Sequence, residues 1–252
     1  SQNINNGNKK APHSLDCLLQ PQSIAIVGAR PKLGSFGNML HRSVQSLGYQ
    51  GEVYLINPKY PEINGIKAYP SLAALPQAPD CVAMAIADTA LAKNLELAGM
   101  AGAGSAVMFG RAYGTNQTGS EHTQTIADIA KEYQMQICGA NCMGFVNVEA
   151  QLQMTGFPFS GLEKSGHIGL ISHSGSTWSG IVGNLRHMRF NTAISAGQEL
   201  ATGVAQYMDY LISQASTRVI ALVLETVRQP ELFLAALDKA RAAGIAVLAL
   251  KL

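Results

Sequence analysis

Ser23-Ile-Ala-Ile-Val-Gly28-Ala-Arg-Pro-Lys-Leu-Gly34-Ser-Phe-Gly37 decides the fold. An apolar run of strand length meets a glycine turn, and a helical stretch follows near 36–47. A helix that starts just after such a turn carries unpaired N–H groups and a partial positive charge, which together make an anion site. A second turn of the same kind is Ile168-Gly-Leu-Ile-Ser172-His-Ser-Gly175-Ser-Thr. Two such turns predict a ligand rich in phosphate, or a phosphoryl group that moves.

Strand and helix candidates alternate outward from these turns. Strands are expected at 23–28, 52–56, 80–86, 104–109, 136–138 and 144–148. The pattern restarts at 167–172, with further strands near 191–195, 217–224 and 245–250. Helices are expected near 36–47, 71–75, 89–101, 119–133, 175–187, 201–213 and 230–242. Apolar runs such as Cys81-Val-Ala-Met-Ala-Ile86 do not alternate. Strands buried on both faces read that way, so the sheets are expected to be parallel and the folding doubly wound α/β. The stretch 149–166 contains Gly156, Pro158 and Gly161 and has no clear period. It is the expected seam between a first unit at 15–150 and a second at 160–252, with 1–14 as a disordered leader.

Composition narrows the class. In 252 residues, 47% are hydrophobic, 13% charged and 6% aromatic, which suits close-packed helix–sheet layers. A formal charge of +2 gives little support to nucleic-acid binding. No apolar run approaches the roughly 20 residues of a membrane span. Cys138 and Cys142 are spaced C-x₃-C with no matching Cys/His pair, so reduced thiols of a cytoplasmic protein are expected and no metal site is assigned.

The first turn is not a Rossmann G-x-G-x-x-G, because Gly28 is followed by Ala29-Arg30 and then by Gly34 and Gly37. It is not a P-loop, because no Gly-Lys-Ser/Thr follows. Its glycines would also serve plain strand–helix packing. After the second strand, NAD-binding folds place an acid for the ribose hydroxyls. Here the chain reads Asn57-Pro58-Lys59-Tyr60. A cation at that edge favours a ribose carrying a phosphate, as in coenzyme A or NADP, and Arg30 and Lys32 add charge; the alternative is a solvated turn lysine. In Ser172-His173-Ser174-Gly175-Ser176-Thr177, a serine can cap the helix. The run of hydroxyls can also form a phosphate nest. His173 reads as a hydrogen-bonding residue rather than a nucleophile, and His167 and His187 have less context.

Taken in order, these segments resemble the NDP-forming acyl-CoA synthetases, relatives of the succinyl-CoA synthetase α subunit. The resemblance covers roughly 15–252. It runs through Ser23–Ala29, Asn57–Tyr60, Gly65–Leu72, Pro79–Ala83, Gly139–Gly144, Ile171–Gly175, Thr217–Ile220, Leu224-Glu225 and Leu248–Lys251. It implies a Rossmann-like CoA-binding domain followed by a flavodoxin-like domain, and ligation of a carboxylic acid to CoA through an acyl phosphate and a phosphohistidine. By position it assigns Gly28, Ser35, Phe36 and Gly37 to the CoA phosphates and Lys59 to the nucleotide end. Asn141 and Cys142 fall near the thiol, Ser172, Ser174 and Gly175 at a phosphate site, and Glu225 beside the histidine as its orienting carboxylate.

The chain departs from the family at Ala140, His173 and Gly197-Gln-Glu-Leu200. The family's phosphohistidine lies beyond the position of Lys251. The expectation is therefore a part that binds CoA but lacks both the phosphohistidine and the ATP-grasp segment, the latter holding ATP and Mg in cis or as a partner subunit. A homo-oligomer is expected. Two other readings stand beside this one: a ligand-sensing module of a protein acetyltransferase, and an NAD(P)-binding protein.

Overall fold

The computed structural model describes residues 11–111, 119–183 and 188–252. In chain order the first part comprises α1 (Asp16–Leu19), β1 (Ser23–Val27), α2 (Phe36–Gln45), β2 (Glu52–Ile56), β3 (Glu62–Ile63) and β4 (Ile66–Tyr69). It continues with β5 (Cys81–Met84), α3 (Leu91–Met100), β6 (Ser105–Met108), α4 (Gly119–Glu132) and β7 (Gln136–Gly139). These strands form a seven-stranded sheet in the order β3-β4-β2-β1-β5-β6-β7. All its pairings are parallel except that of β3 with β4. Every residue of β1, β5 and β6 is buried, which is why their sequences do not alternate.

The second part comprises β8 (Gly144–Asn147), β9 (Leu152–Thr155), β10 (Ile168–Ser172), α5 (Gly175–Gly183), β11 (Phe190–Ser195), α6 (Val204–Ser213), β12 (Val219–Leu224), α7 (Pro230–Ala242) and β13 (Ala246–Lys251). Its sheet has the order β13-β12-β10-β11-β8-β9. The four strands β10 to β13 are parallel, and an antiparallel β8–β9 hairpin closes the other edge. The architecture is therefore a Rossmann-like unit followed by a flavodoxin-like one.

The chain changes sheets between Gly139 and Gly144, ahead of the stretch expected as a seam. β8 and β9 both join the second sheet. β9 escapes a pattern reading because all four of its residues are buried, Gln153 among them. The Gln153 amide bonds both the N–H and the C=O of Phe159, so a polar residue sits at a core position without an unmet partner. The β3–β4 hairpin is likewise too short to show a period. Residues 1–10 and His187 lie outside the described residues. Of the expected leader, His13 is fixed: its Nε2 lies 2.8 Å from Asp209 Oδ2, and its ring meets Tyr210 edge-on.

One apolar cluster joins the two units, with Leu40, Leu152, Ile171 and Leu211 among its members. α2 packs against β9 across the boundary. Asn147 of β8 donates 2.7 Å to the Leu19 carbonyl at the end of α1.

Candidate functional site

Two glycines shape the first half of the site. Gly28 has φ of 89°, and a Cβ there would stand 2.2 Å from the Ala85 carbonyl oxygen. A Cβ on Gly37 would stand 2.1 Å from the Gly28 carbonyl oxygen. The turn after β1 is therefore clamped between β5 and the start of α2, and only glycine fits. Ser35 precedes α2 in extended conformation, and its Oγ donates 2.7 Å to the Lys32 carbonyl instead of capping the helix. The first N–H groups of α2 are left without a side-chain cap.

A cavity of about 550 Å³ opens beside this turn, at the carboxyl ends of β1 and β2. Gly28, Arg30, Lys59, Tyr60, Lys93 and Leu97 are among its walls, and among the described residues no carboxylate lines it. Crevices at strand ends of this kind are where open α/β sheets bind ligands. Asn57 does not replace the missing ribose-binding acid. It is buried, donates 2.8 Å to the Ala29 carbonyl and accepts 2.9 Å from the Lys59 N–H. Its amide thus holds the turn that carries Lys59. Ser35, Phe36 and Gly37 stand at the start of α2, next to the cavity but not in its wall. Phe36 packs edge-on against Phe109, with centroids 5.1 Å apart. Lys93, on α3, has no sequence signal beyond its charge; only the fold brings it to Lys59.

The carboxyl ends of the two sheets meet. The Gln198 N–H donates 2.9 Å to the Ala140 carbonyl, and the Leu200 N–H donates 3.2 Å to that of Gly139. Asn141 is exposed at this junction, with φ of 50°. Cys142 turns its side chain inward, with Sγ 3.3 Å from the Met108 carbonyl and 4.0 Å from Cys138 Sγ. Its bond with Cys142, together with burial, holds the Cys138 thiol well above its ordinary value. Cys142 can therefore offer a ligand its main chain but not its thiol. Among the described residues no group of His, Cys, Asp and Glu is placed to hold a metal ion.

The second turn forms the other half. Ser172 is fully buried, and its hydroxyl donates 2.8 Å to the Ser174 carbonyl, so it shapes the loop. Ser174 caps α5: its Oγ accepts 3.2 Å from the Thr177 N–H and lies 3.2 Å from Ser176 Oγ. Gly175 opens the helix, where a Cβ would come within 3.1 Å of Met143. Capping by one serine satisfies one N–H and is compatible with an anion at the helix start.

His173 is locked. The Glu225 N–H donates 3.0 Å to Nδ1, so that nitrogen is unprotonated and Nε2 carries the proton. Nε2 lies 3.0 Å from Glu199 Oε1. Both ring nitrogens are used in the fold, which fits a hydrogen-bonding residue and not a nucleophile. Glu225 itself is exposed at the end of β12. Glu199 was legible only as a departure in the 197–200 turn, yet its side chain is 5% exposed and accepts three bonds. These come from His173, from the Val204 N–H at 2.9 Å and from Arg228 at 3.3 Å.

Residues 22–148, just over half the chain, match the family described as the CoA binding domain. The chain belongs to that family. Residues 165–252 match the succinyl-CoA ligase like flavodoxin domain. A trans-feruloyl-CoA synthase from an unknown prokaryotic organism is 31% identical over 91% of this chain and 33% of its own length. The α subunit of acetate–CoA ligase [ADP-forming] II from Pyrococcus furiosus is 29% identical over 87% of this chain and 48% of its own. The crystal structure of PH0766 from Pyrococcus horikoshii OT3 superposes with a TM-score of 0.85 at 28% identity, covering 94% of this chain and 54% of that one. The chain thus spans between a third and a half of the length of these curated relatives. No helix among the described residues is long and apolar enough to cross a membrane.

Proposed function

We propose that this chain is the CoA-binding part of an NDP-forming acyl-CoA synthetase, an acid–thiol ligase. The reaction converts a carboxylic acid, CoA and an NTP into acyl-CoA, NDP and phosphate through an acyl phosphate and a phosphorylated histidine. One observation carries this reading: a cavity walled by Arg30, Lys59 and Lys93 and free of carboxylates, in a fold whose strand ends also form the Ser174–Gly175 turn. Cations without acids suit a ligand with several phosphates. NAD is disfavoured, because Asn57 stands where the ribose acid would be and its amide is already spent.

The roles follow the geometry. Gly28 lets the main chain approach the CoA phosphates, and Ser35, Phe36 and Gly37 present the N-terminus of α2 to them. Lys59 takes the 3′-phosphate. Asn141 and the main chain of Cys142 lie toward the thiol. Ser174 and Gly175 hold the transferred phosphoryl group, with Ser172 supporting the loop. Glu225 orients the incoming histidine, as a carboxylate fixes an imidazole tautomer. That histidine belongs to a segment beyond the position of Lys251, and ATP and Mg to an ATP-grasp segment in cis or on a partner subunit. A cytoplasmic setting is consistent with four free cysteines. The acids named for the relatives differ, so the substrate is proposed only as a carboxylic acid.

Turnover tests the reading. The 252-residue chain alone should form no acyl-CoA from ATP and any acid, and supplying the histidine-bearing and ATP-grasp segments should produce NDP dependent on both acid and CoA. Acid-labile phosphate on the bare chain after incubation with acetyl-CoA and labelled phosphate, lost in His173→Ala, would instead make His173 the phosphoryl acceptor and overturn the placement of the phosphohistidine beyond Lys251.

A further inference from the structure

Glu199 is assigned no role by family resemblance, yet it joins three elements that converge on the phosphate turn. It sits in the β11–α6 loop in a left-handed conformation, with φ of 52°. Oε1 faces His173 Nε2 and the Val204 N–H, and Oε2 faces the half-exposed Arg228 guanidinium. Through His173 the link continues, since Nδ1 accepts the N–H of Glu225. The same loop is bonded by its main chain to Gly139 and Ala140 of the first unit.

We propose that Glu199 is a positioning residue: through His173 it fixes the main chain at Glu225 and so aims the Glu225 carboxylate at the phosphate turn. The physics is one of tautomer selection. A carboxylate can only accept, so it keeps the proton on Nε2 and leaves Nδ1 as an acceptor for the Glu225 N–H. An amide at 199 can present a donor to Nε2. The ring is then free to take the other tautomer, in which Nδ1–H opposes the Glu225 N–H and the bond is lost. Groups facing His173 and its partners are Glu199, Arg228, Glu225 and, on α6, Tyr207. The inference rests on the ligase reading, in which Glu225 acts on a phosphorylated histidine.

The test is a double-mutant cycle in the assembled ligase, this chain together with its histidine-bearing and ATP-grasp segments. Glu199→Gln should lower kcat about 30-fold and leave KM for CoA within about 2-fold, because none of the linked side chains lines the CoA cavity. In a Glu225→Gln background the same substitution should lower kcat by less than about 2-fold, since the carboxylate it aims is already gone. Imidazole ¹⁵N spectra of the 252-residue chain should show a single Nε2–H tautomer for His173, lost in Glu199→Gln. Equal slowing in both backgrounds, or an unchanged His173 tautomer, would overturn the positioning role while leaving the ligase reading intact. Absence of turnover in the unsubstituted assembly, with the His173 tautomer as expected, would overturn the ligase reading and this role with it.

Discussion

The proposed CoA cavity and the proposed phosphate turn are both built on glycine-opened helices at the carboxyl ends of parallel strands, yet they are assembled in opposite ways. The cavity presents long, exposed cations on a rigid turn: Lys59 and Lys93 reach into open space, and only Asn57 and the two glycines beneath them are fixed. The phosphate turn is held from inside by buried groups: Ser172, His173 and Glu199 are bonded to one another's neighbours before any ligand arrives. In the first region affinity and stability are separable. In the second, the residues proposed to aim the chemistry also hold the fold.

The sharpest way to break that contrast is at Glu199. Glu199→Ala leaves the His173 Nε2–H and the Val204 N–H buried without an acceptor. It should cost about 3 kcal/mol or more, the scale of a broken buried pair. A urea midpoint shift much smaller than this would show that the network is ornamental. Gly37→Ala comes next. The added methyl would meet the Gly28 carbonyl at 2.1 Å, a main-chain contact that cannot swing away. It should destabilise by about 2–3 kcal/mol and spoil the CoA turn as well. A stable variant with normal CoA affinity would contradict the clamped turn.

Lys93→Ala should behave differently from both. The side chain is exposed, so the urea midpoint should stay within about 0.5 kcal/mol of the unsubstituted chain. CoA affinity should fall by about 1 kcal/mol and become less sensitive to salt, read by calorimetry at two ionic strengths. The smallest effect is expected at the N-terminal end. Hydrogen bonds from Lys239 and His13 hold the Asp209 carboxyl below its usual range although burial pulls the other way. A depressed carboxylate stabilises the fold above its unfolded value and loses that contribution as pH falls through the folded one. Protection of the amides of His13–Leu15 against hydrogen exchange should thus drop only as pH falls below the ordinary aspartate value of about 3.9, and Asp209→Asn should remove that pH dependence.

How much of this was legible in the sequence also divides by region. Parallel strands announce themselves because burial on both faces leaves unbroken apolar runs, as in 81–84 and 219–224. The turns at Gly28 and Gly175 were visible because glycine and serine mark helix starts. Lys59 stood out by replacing an acid at a fixed offset from a strand. Lys93 could not be seen in this way, because its relation to Lys59 exists only once α3 is laid beside β5. Glu199 was read as mere divergence in a turn, since nothing local reveals that a charged residue will be buried against a histidine twenty-six positions earlier. β9 was missed because Gln153 solves its polar demand through Phe159, a contact with no periodic trace. Family resemblance placed Cys142 near the thiol of CoA, but side-chain direction, which turns its own thiol into the core, is decided by packing.

The central claim, that the first unit holds CoA with its 3′-phosphate at Lys59, is tested most directly by titration calorimetry of CoA and dephospho-CoA into the chain and into Lys59→Ala. CoA should bind the unsubstituted chain tighter than dephospho-CoA by about 1–2 kcal/mol, the scale of a charge-assisted hydrogen bond. Lys59→Ala should erase that difference while leaving dephospho-CoA affinity nearly unchanged. Equal affinity of the unsubstituted chain for the two ligands, or a preference that survives Lys59→Ala, would contradict the account.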